Sequence, residues 1–373
     1  MKNDGRRISV LSVHPLVDTR IRNQLITLID HRYVVTYINW SDIGYLDSAD
    51  RGSAVKLIRK EKSPIIGLNF LIYLEMLLWF IVRTVQSKPD VVHIHDIILL
   101  PIILPVKLFG KCKFVFDVHE RFLKDKTSRR YYYRFLLEFF SPFLDGYVAV
   151  SESTSLNMKI PHEIIPNYQR KADYRLENSP RKHINVIYFG SLSQSDRDID
   201  LLLHLANALL SEFNYVRFEL GGILHGNDVS NYVEKINGLC KRYPNGFIWH
   251  GVMSRADVIK KTCTADIGLL FLKPFVENFI GGSPHKIYEY LTAGAAIFAT
   301  EGFARSSEIT QSGAGVLFAA GTSPEIVERR MFEVIKDPEK LDRMKEASKR
   351  LGYQYSWESI EDRYLKLYNY ITS

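Results

Sequence analysis

Short apolar runs of four to seven residues recur along this chain, each set off by a stretch with helical spacing, and that alternation limits the fold more than any other feature. In the first half, residues 8–13, 33–39, 91–95, 113–118 and 146–151 read as strands, and 19–29 and 131–140 as helices. A polar segment with Pro166, Asn167, Ser179 and Pro180 then interrupts the pattern. A second series follows, with strands at 185–189, 217–220, 247–250 and 267–271 and helices at 201–210, 229–239 and 255–263. Strands separated by helices run parallel, in a sheet covered on both faces. The expected architecture is α/β, with two doubly wound Rossmann-like domains facing a central cleft where the strand C-termini open. The domains are expected at 1–168 and 183–352, with a linker at 169–182. Ile360, Tyr364, Leu367 and Tyr368 share one helical face, so residues 353–373 are expected to form a helix packing back toward the first domain.

A chain of 373 residues is long enough for two such cores, and 46% hydrophobic with 24% charged residues is normal for a globular protein. Cys112, Cys240 and Cys263 lie far apart and form no ligand cluster, which points to a reducing compartment without structural zinc. The opening MKNDGRRISVLSV passes straight into a strand, with an apolar run too short for a signal peptide; a cytoplasmic location is expected. Up to Lys182 there are 28 Lys and Arg against 19 Asp and Glu; the remainder has 21 against 23. The basic first half implies an anionic partner there, either a membrane surface or a lipid diphosphate. Nucleic acid is not expected, because no binding motif accompanies the charge.

Residues 65–82 are strongly apolar but carry Asn69 and Glu75, and a carboxylate in mid-bilayer costs about 2.5–3.5 kcal/mol. The leading reading is a helix packed in the first domain. An interfacial membrane helix is the alternative, since Lys56, Arg59, Lys60 and Lys62 precede it and Arg83 and Lys88 follow. Arg129 to Arg134, with three consecutive tyrosines, suits either a lipid headgroup layer or an exposed helix face.

Residues 281–300, GGSPHKIYEYLTAGAAIFAT, carry the clearest site signal. Gly281 and Gly282 lead into Ser283 and Pro284, residues suited to the N-cap and first position of a helix. Ile287, Tyr290 and Leu291 supply its buried face, Gly294 ends it, and 295–300 reads as a strand. A glycine loop feeding a helix N-terminus offers backbone N–H groups and a positive dipole end to a phosphate. Lys286 adds a full charge, and Glu289, three residues on, can accept hydrogen bonds from sugar hydroxyls. His93 and His95 beside Asp96 have a metal-like spacing but also alternate on a strand end, and no metal is expected there.

The order of motifs resembles family 4 glycosyltransferases of the GT-B fold over nearly the whole length. HPLVDTRIRNQLITLI resembles the family's D-x-R-x-x-x-Q helix start. KPDVVHIHDIILLP, FVFDVHERF, DGYVAVSEST and IIPNYQ follow in the first half. VIYFGSLSQSDRDIDLLL, HGVMSRADVIKKTCTADIGLLF and SPHKIYEYLTAGAAIFAT complete the series. The resemblance implies transfer of a sugar from a nucleotide-sugar donor, UDP- or GDP-linked, usually with retention and with neither metal nor cofactor. It implies that Glu289 holds the ribose hydroxyls and that Lys286 and the Gly281–Ser283 loop seat the diphosphate. Arg197 near Ser191 would be a basic phosphate ligand, and Gly251 and Val252 would meet the base. His119 would approach the donor sugar as the catalytic-side residue, while His14, Asp18 and Arg20 would border the acceptor.

Two departures stand out. Gly281 occupies the position of the family's frequent first glutamate, and Gly190-Ser191 with Arg197-Asp198 replaces the usual Gly-Arg with a downstream Lys-Gly. The basic first domain adds the expectation of a polyprenyl-linked or other saccharide acceptor held at the inner face of the membrane, in capsule, exopolysaccharide or lipopolysaccharide assembly. A sugar-nucleotide 2-epimerase and a non-catalytic partner subunit are the alternatives.

Overall fold

The computed structural model describes residues 5–13, 19–40, 55–60, 69–119, 129–156, 158–174, 182–273 and 279–373. It divides into two units, Met1–Asn167 with Ile360–Ser373, and Tyr168–Ser359.

The first unit is a parallel sheet of seven strands covered by helices. In chain order it has β1 (Arg7–Ser12), α1 (Thr19–Asp30), β2 (Val34–Trp40), β3 (Val55–Lys60), α2 (Asn69–Ser87) and β4 (Val91–Ile94). A 3-10 turn at Ile97–Ile102 leads into α3 (Ile103–Phe109), followed by β5 (Lys113–Val118), α4 (Arg129–Phe140), β6 (Gly146–Ala149) and β7 (His162–Ile164). The spatial order β3-β2-β1-β4-β5-β6-β7 reverses direction between β1 and β4. The apolar strands explain the burial: β4 and β6 are buried throughout, as two-sided coverage of a parallel sheet requires. Met76, Phe80, Ile103, Val106, Leu136 and Phe140 join Leu11, Ile38, Ile94 and Phe116 in one cluster, so α2, α3 and α4 all cover the same core.

The second unit contains β8 (Ile184–Phe189), β9 (Leu192–Ser193), α5 (Ile199–Glu212), β10 (Val216–Gly221), β11 (Leu224–His225), α6 (Val229–Arg242) and β12 (Phe247–Trp249). It continues with α7 (Arg255–Cys263), β13 (Ile267–Leu270), α8 (His285–Ala293), β14 (Ala296–Thr300), α9 (Ser306–Ser312), β15 (Gly315–Phe318), α10 (Pro324–Ile335) and α11 (Pro338–Gln354). Its six parallel strands run β12-β10-β8-β13-β14-β15, reversing between β8 and β13, and β9 and β11 form a separate two-stranded pair. α12 (Glu361–Thr372) belongs to the first unit, burying Tyr364, Leu365, Leu367, Tyr368 and Ile371.

Several boundaries differ from the sequence reading. The closing helix starts at Glu361, because α11 runs on to Gln354 and a 3-10 turn at Trp357–Ser359 intervenes. The first residues of the expected linker belong to the second unit: Gln169 is fully buried, pairs with Ser356 and accepts the Trp357 N–H at 2.9 Å. Residues 175–181, and residues 65–68 ahead of α2, lie outside the described residues. The edge strands β3, β7 and β15 were not anticipated, nor were α3, α9, α10 and most of α11.

Candidate functional site

Ligands of doubly wound sheets lie outside the strand C-termini where the order reverses, which in the second unit is between β8 and β13. Three loops meet there. The Gly190 N–H bonds the Gly221 carbonyl at 2.9 Å, the Gly222 N–H bonds Gly251 at 2.7 Å, and the His250 N–H bonds Leu220 at 2.9 Å. Glycine is required at 222: its φ is +140°, and a Cβ there would sit 1.7 Å from the Gly190 carbonyl oxygen. Gly251 and Val252 follow β12, and Val252 is 74% exposed, an apolar platform at the rim. Beneath it, buried Glu219 accepts from Lys261 at 3.0 Å and meets His250 Nε2 at 2.7 Å, which fixes that loop to the sheet.

Arg197 sits on the same edge, in the turn between β9 and α5. Its Nε donates to the Tyr188 hydroxyl at 3.1 Å, an Nη donates to Asp196 at 2.6 Å, and its plane lies 4.7 Å from the Phe279 ring centre. Asp198, the other flanking acid, is used as the α5 N-cap and accepts the Leu201 N–H at 3.2 Å. Tyr188 in turn donates to the Ser191 carbonyl at 2.6 Å, so one phenol couples Arg197 to the Gly190-Ser191 turn. Burial pushes that phenol above its ordinary pKa against the pull of Arg197.

α8 supplies the remaining groups. Its N-cap is Pro284 and its first residue His285, one position later than the sequence pattern indicated, and Gly294 is its C-cap. Two amides of the glycine loop expected to seat the diphosphate are bonded within the fold. Gly281, at φ +65°, donates its N–H to Gly302 at 2.6 Å, and Gly282 donates to Phe279 at 3.0 Å. Ser283 is buried and hydrogen-bonds Tyr288. The positive groups are therefore the first turn of α8 and the Lys286 ammonium, whose side chain is 21% exposed. A Cβ at Gly190 would lie 3.0 Å from Lys286 Cε, so this side chain runs across the β8 turn.

Lys286 Nζ donates to Glu289 at 2.7 Å. Glu289 is only 5% exposed. Burial alone would raise its carboxyl, but Lys286, with Arg255 and His285 behind it, outweighs that and brings it below the ordinary value. An ammonium has three donors, so one bond to Glu289 leaves two for an anion. Arg255 and Tyr188 are the site residues the sequence reading missed. Arg255 opens α7 behind a Ser254 N-cap and approaches Asp173 at 3.9 Å; its only sequence signal was the helix start in MSRADV.

The first unit holds a second cluster where its own sheet reverses. Asp117, at the end of β5, is fully buried; Arg20 Nε lies 2.9 Å from both its oxygens and Gln24 donates to it at 2.6 Å. Arg20 also reaches the carbonyl of Ile165. His93 and His95 stack at 4.7 Å between ring centres and approach Asp117 at 3.7 and 3.6 Å. Burial would raise the Asp117 carboxyl, but Arg20 and the histidines hold it well below the usual range. Burial pushes His95 down to about 3. His119 is the partly exposed member, its Nδ1 4.0 Å from Asp117.

Two expectations change here. Arg20 is buried on the first turn of α1 and bonded to Asp117, where the sequence reading placed it in the opening loop. The carboxylate grouped with His93 and His95 is Asp117, all three donor atoms lying within 4.8 Å, whereas Asp96 accepts the Val13 N–H at 2.8 Å. The guanidinium already on Asp117 opposes a dication at this place. His14 and Asp18 lie outside the described residues.

Two doubly wound parallel sheets of this kind match the GT-B architecture. Residues 27–159 match the family model described as Glycosyltransferase Family 4. Among solved structures, the chain is similar to Anabaena HepE in complex with UDP-glucose, at 14% identity and TM-score 0.71, covering 97% of this chain and 99% of that one. It is similar to sucrose-phosphate synthase from Thermosynechococcus elongatus, at 11% identity and TM-score 0.69, covering 98% and 99%. A glycosyltransferase from Rickettsia africae aligns at 15% identity and TM-score 0.66, over 99% of both chains. At these identities the likeness establishes the fold. No curated protein matches the sequence.

Proposed function

We propose that the protein is a retaining, metal-independent glycosyltransferase whose second unit holds a nucleotide-sugar donor. One observation carries the reading: Lys286, bonded to buried Glu289, lies across the Gly190 turn at the sheet reversal, where Tyr188 also holds Arg197. Two cations next to a helix N-terminus suit a diphosphate, and a buried, ionised carboxylate suits ribose hydroxyls. Sugar transfer needs the leaving diphosphate stabilised more than it needs covalent help, and fixed charges supply that term without reorganisation. In this reading Lys286, Arg197 and the first-turn amides of α8 bind the diphosphate, Glu289 the ribose, and Val252 the base. His119 orients the donor sugar, and Ser191 stands at the phosphate side. The solved structure of HepE with UDP-glucose lends support to a UDP-sugar as the first donor to try.

The acceptor in this reading is a lipid-linked saccharide used in cell-surface polysaccharide synthesis, on the cytoplasmic side of the membrane. Its support is the basic balance of the first half of the chain. Transfer assays with UDP- and GDP-sugars on membrane extracts, read by mass spectrometry, test the activity. The expected result is a glycosylated lipid-linked product that Lys286→Ala and Glu289→Ala each reduce by at least about tenfold. Release of an epimerised sugar nucleotide without acceptor, or failure to bind any nucleotide sugar, would contradict it.

A further inference from the structure

α2 has the length and apolarity of a membrane helix, yet only 17% of Phe70–Ser87 is buried. Met76, Phe80 and Thr84 face the sheet, with Met76 and Phe80 in the core cluster. The helix therefore lies along the sheet and cannot cross a bilayer without leaving it. Its other side exposes Leu71, Leu74, Leu78 and Val82 at spacings of three and four, with Phe70 beside them. α4 repeats the pattern: Tyr131, Phe135 and Phe139 lie four apart and exposed, the last two with ring centres 5.7 Å apart. The Tyr132 hydroxyl donates to Tyr73 at 2.9 Å, which ties α4 to α2. α3 covers the same core and ends in Leu108 and Phe109, 83% and 71% exposed. Three neighbouring helices thus turn apolar side chains outward from one core, far beyond the scattered exposure usual for a globular surface.

The charges identify what covers this surface. α2, α3 and α4 carry Arg83, Lys107, Arg130 and Arg134 against Glu75 and Glu138, with Arg134 paired to Glu138 and Lys107 near Asp145, and Lys111 follows Phe109 after one glycine. A second copy would set these cations against their own kind, whereas an anionic lipid surface accepts both the apolar side chains and the charge. Tyr131, Tyr132 and Trp79 are the residue types that favour the headgroup level. We propose that the outer faces of α2, α3 and α4 form a docking surface for an anionic membrane, with α2 lying in the interfacial plane. This deepens the membrane-held acceptor of the proposed function and rests on that reading only for its purpose.

Co-sedimentation of the full chain with phosphatidylcholine vesicles, and with vesicles containing phosphatidylglycerol, tests it. The intact protein is expected to bind the anionic vesicles and to weaken as salt rises. The triple variant Leu74→Ser, Leu78→Ser, Phe135→Ser is expected to bind them at least about tenfold less. A charge variant, Lys111→Ser with Arg130→Ser, alters only exposed residues and is expected to lose several-fold; it decides the matter where the triple variant does not fold. Nucleotide-sugar binding, measured on the same samples, should be unchanged in both variants. Absence of vesicle binding by the intact protein, equal binding by the variants, or a dimer that the triple variant dissolves without any lipid effect would overturn the proposal. Vesicle binding without nucleotide-sugar binding would instead sink the proposed function and leave this surface standing.

Discussion

Glu289 shows how one buried carboxylate joins fold to chemistry. Its ionised state depends on Lys286, so removing the lysine leaves a desolvated charge that costs about 1–3 kcal/mol after allowance for the lysine's partial exposure. Because the folded-state carboxyl titrates below its ordinary value, the pair stabilises above that value and the contribution is lost as pH falls through the folded pKa. The Lys286→Ala penalty, measured from urea midpoints, should therefore be full at neutral pH and shrink under acid. His95 behaves in the opposite chemical sense with the same pH sign. Its folded pKa is about 3 against 6.5 ordinarily, so the unfolded chain gains a proton first as pH falls below about 6.5. Between pH 7 and 5 this one group should remove about 2 kcal/mol from the first unit. His95→Gln should flatten that loss, as read by amide exchange in β4 and β5. At Gly222, even alanine collides with the Gly190 carbonyl at an unfavourable φ; Gly222→Ala should cost more than about 3 kcal/mol and abolish nucleotide-sugar binding, checked by calorimetry.

At the scale of elements, legibility followed burial. β5 and α7 match their expected bounds, and α8 begins one position from its pattern, because their periodicities come from cores that admit one register. β3 and β7 carry no unbroken apolar run, because an edge strand needs only one neighbour and the sequence VKLIRK can hold three basic residues. The glycine loop shows a related effect. Gly281 and Gly282 read as a phosphate cradle; the Gly282 amide closes a turn onto Phe279, and the Gly281 amide bonds to Gly302, a partner that no local pattern names. Lys286 and Glu289 were readable because helical spacing alone makes them neighbours. Arg197 is named only through the family resemblance; Tyr188, which couples it to Ser191, is set by tertiary packing. α12 is the element whose removal should be most informative. Tyr364 and Tyr368 hydrogen-bond each other at 3.0 Å and both reach His93, and Thr27 donates to Glu361 at 2.5 Å. Deleting residues 360–373 should expose the β4 side of the first core, yielding an aggregating product in size-exclusion chromatography.

At the scale of the whole molecule, two parallel sheets each gather ionisable side chains at the place where strand order reverses. The sequence alternation was enough to infer that layout, since parallel strands need helical crossovers and bury both faces. What it could not give is which polar groups are consumed internally, as Arg20 is by Asp117. Titration calorimetry with UDP-glucose and GDP-mannose, on the intact protein and on Lys286→Ala, tests the central claim most directly. The account predicts one saturable site for one of these donors, weakened at least about tenfold by the substitution. Equal affinity in the two proteins, or no heat of binding with either donor, would contradict it.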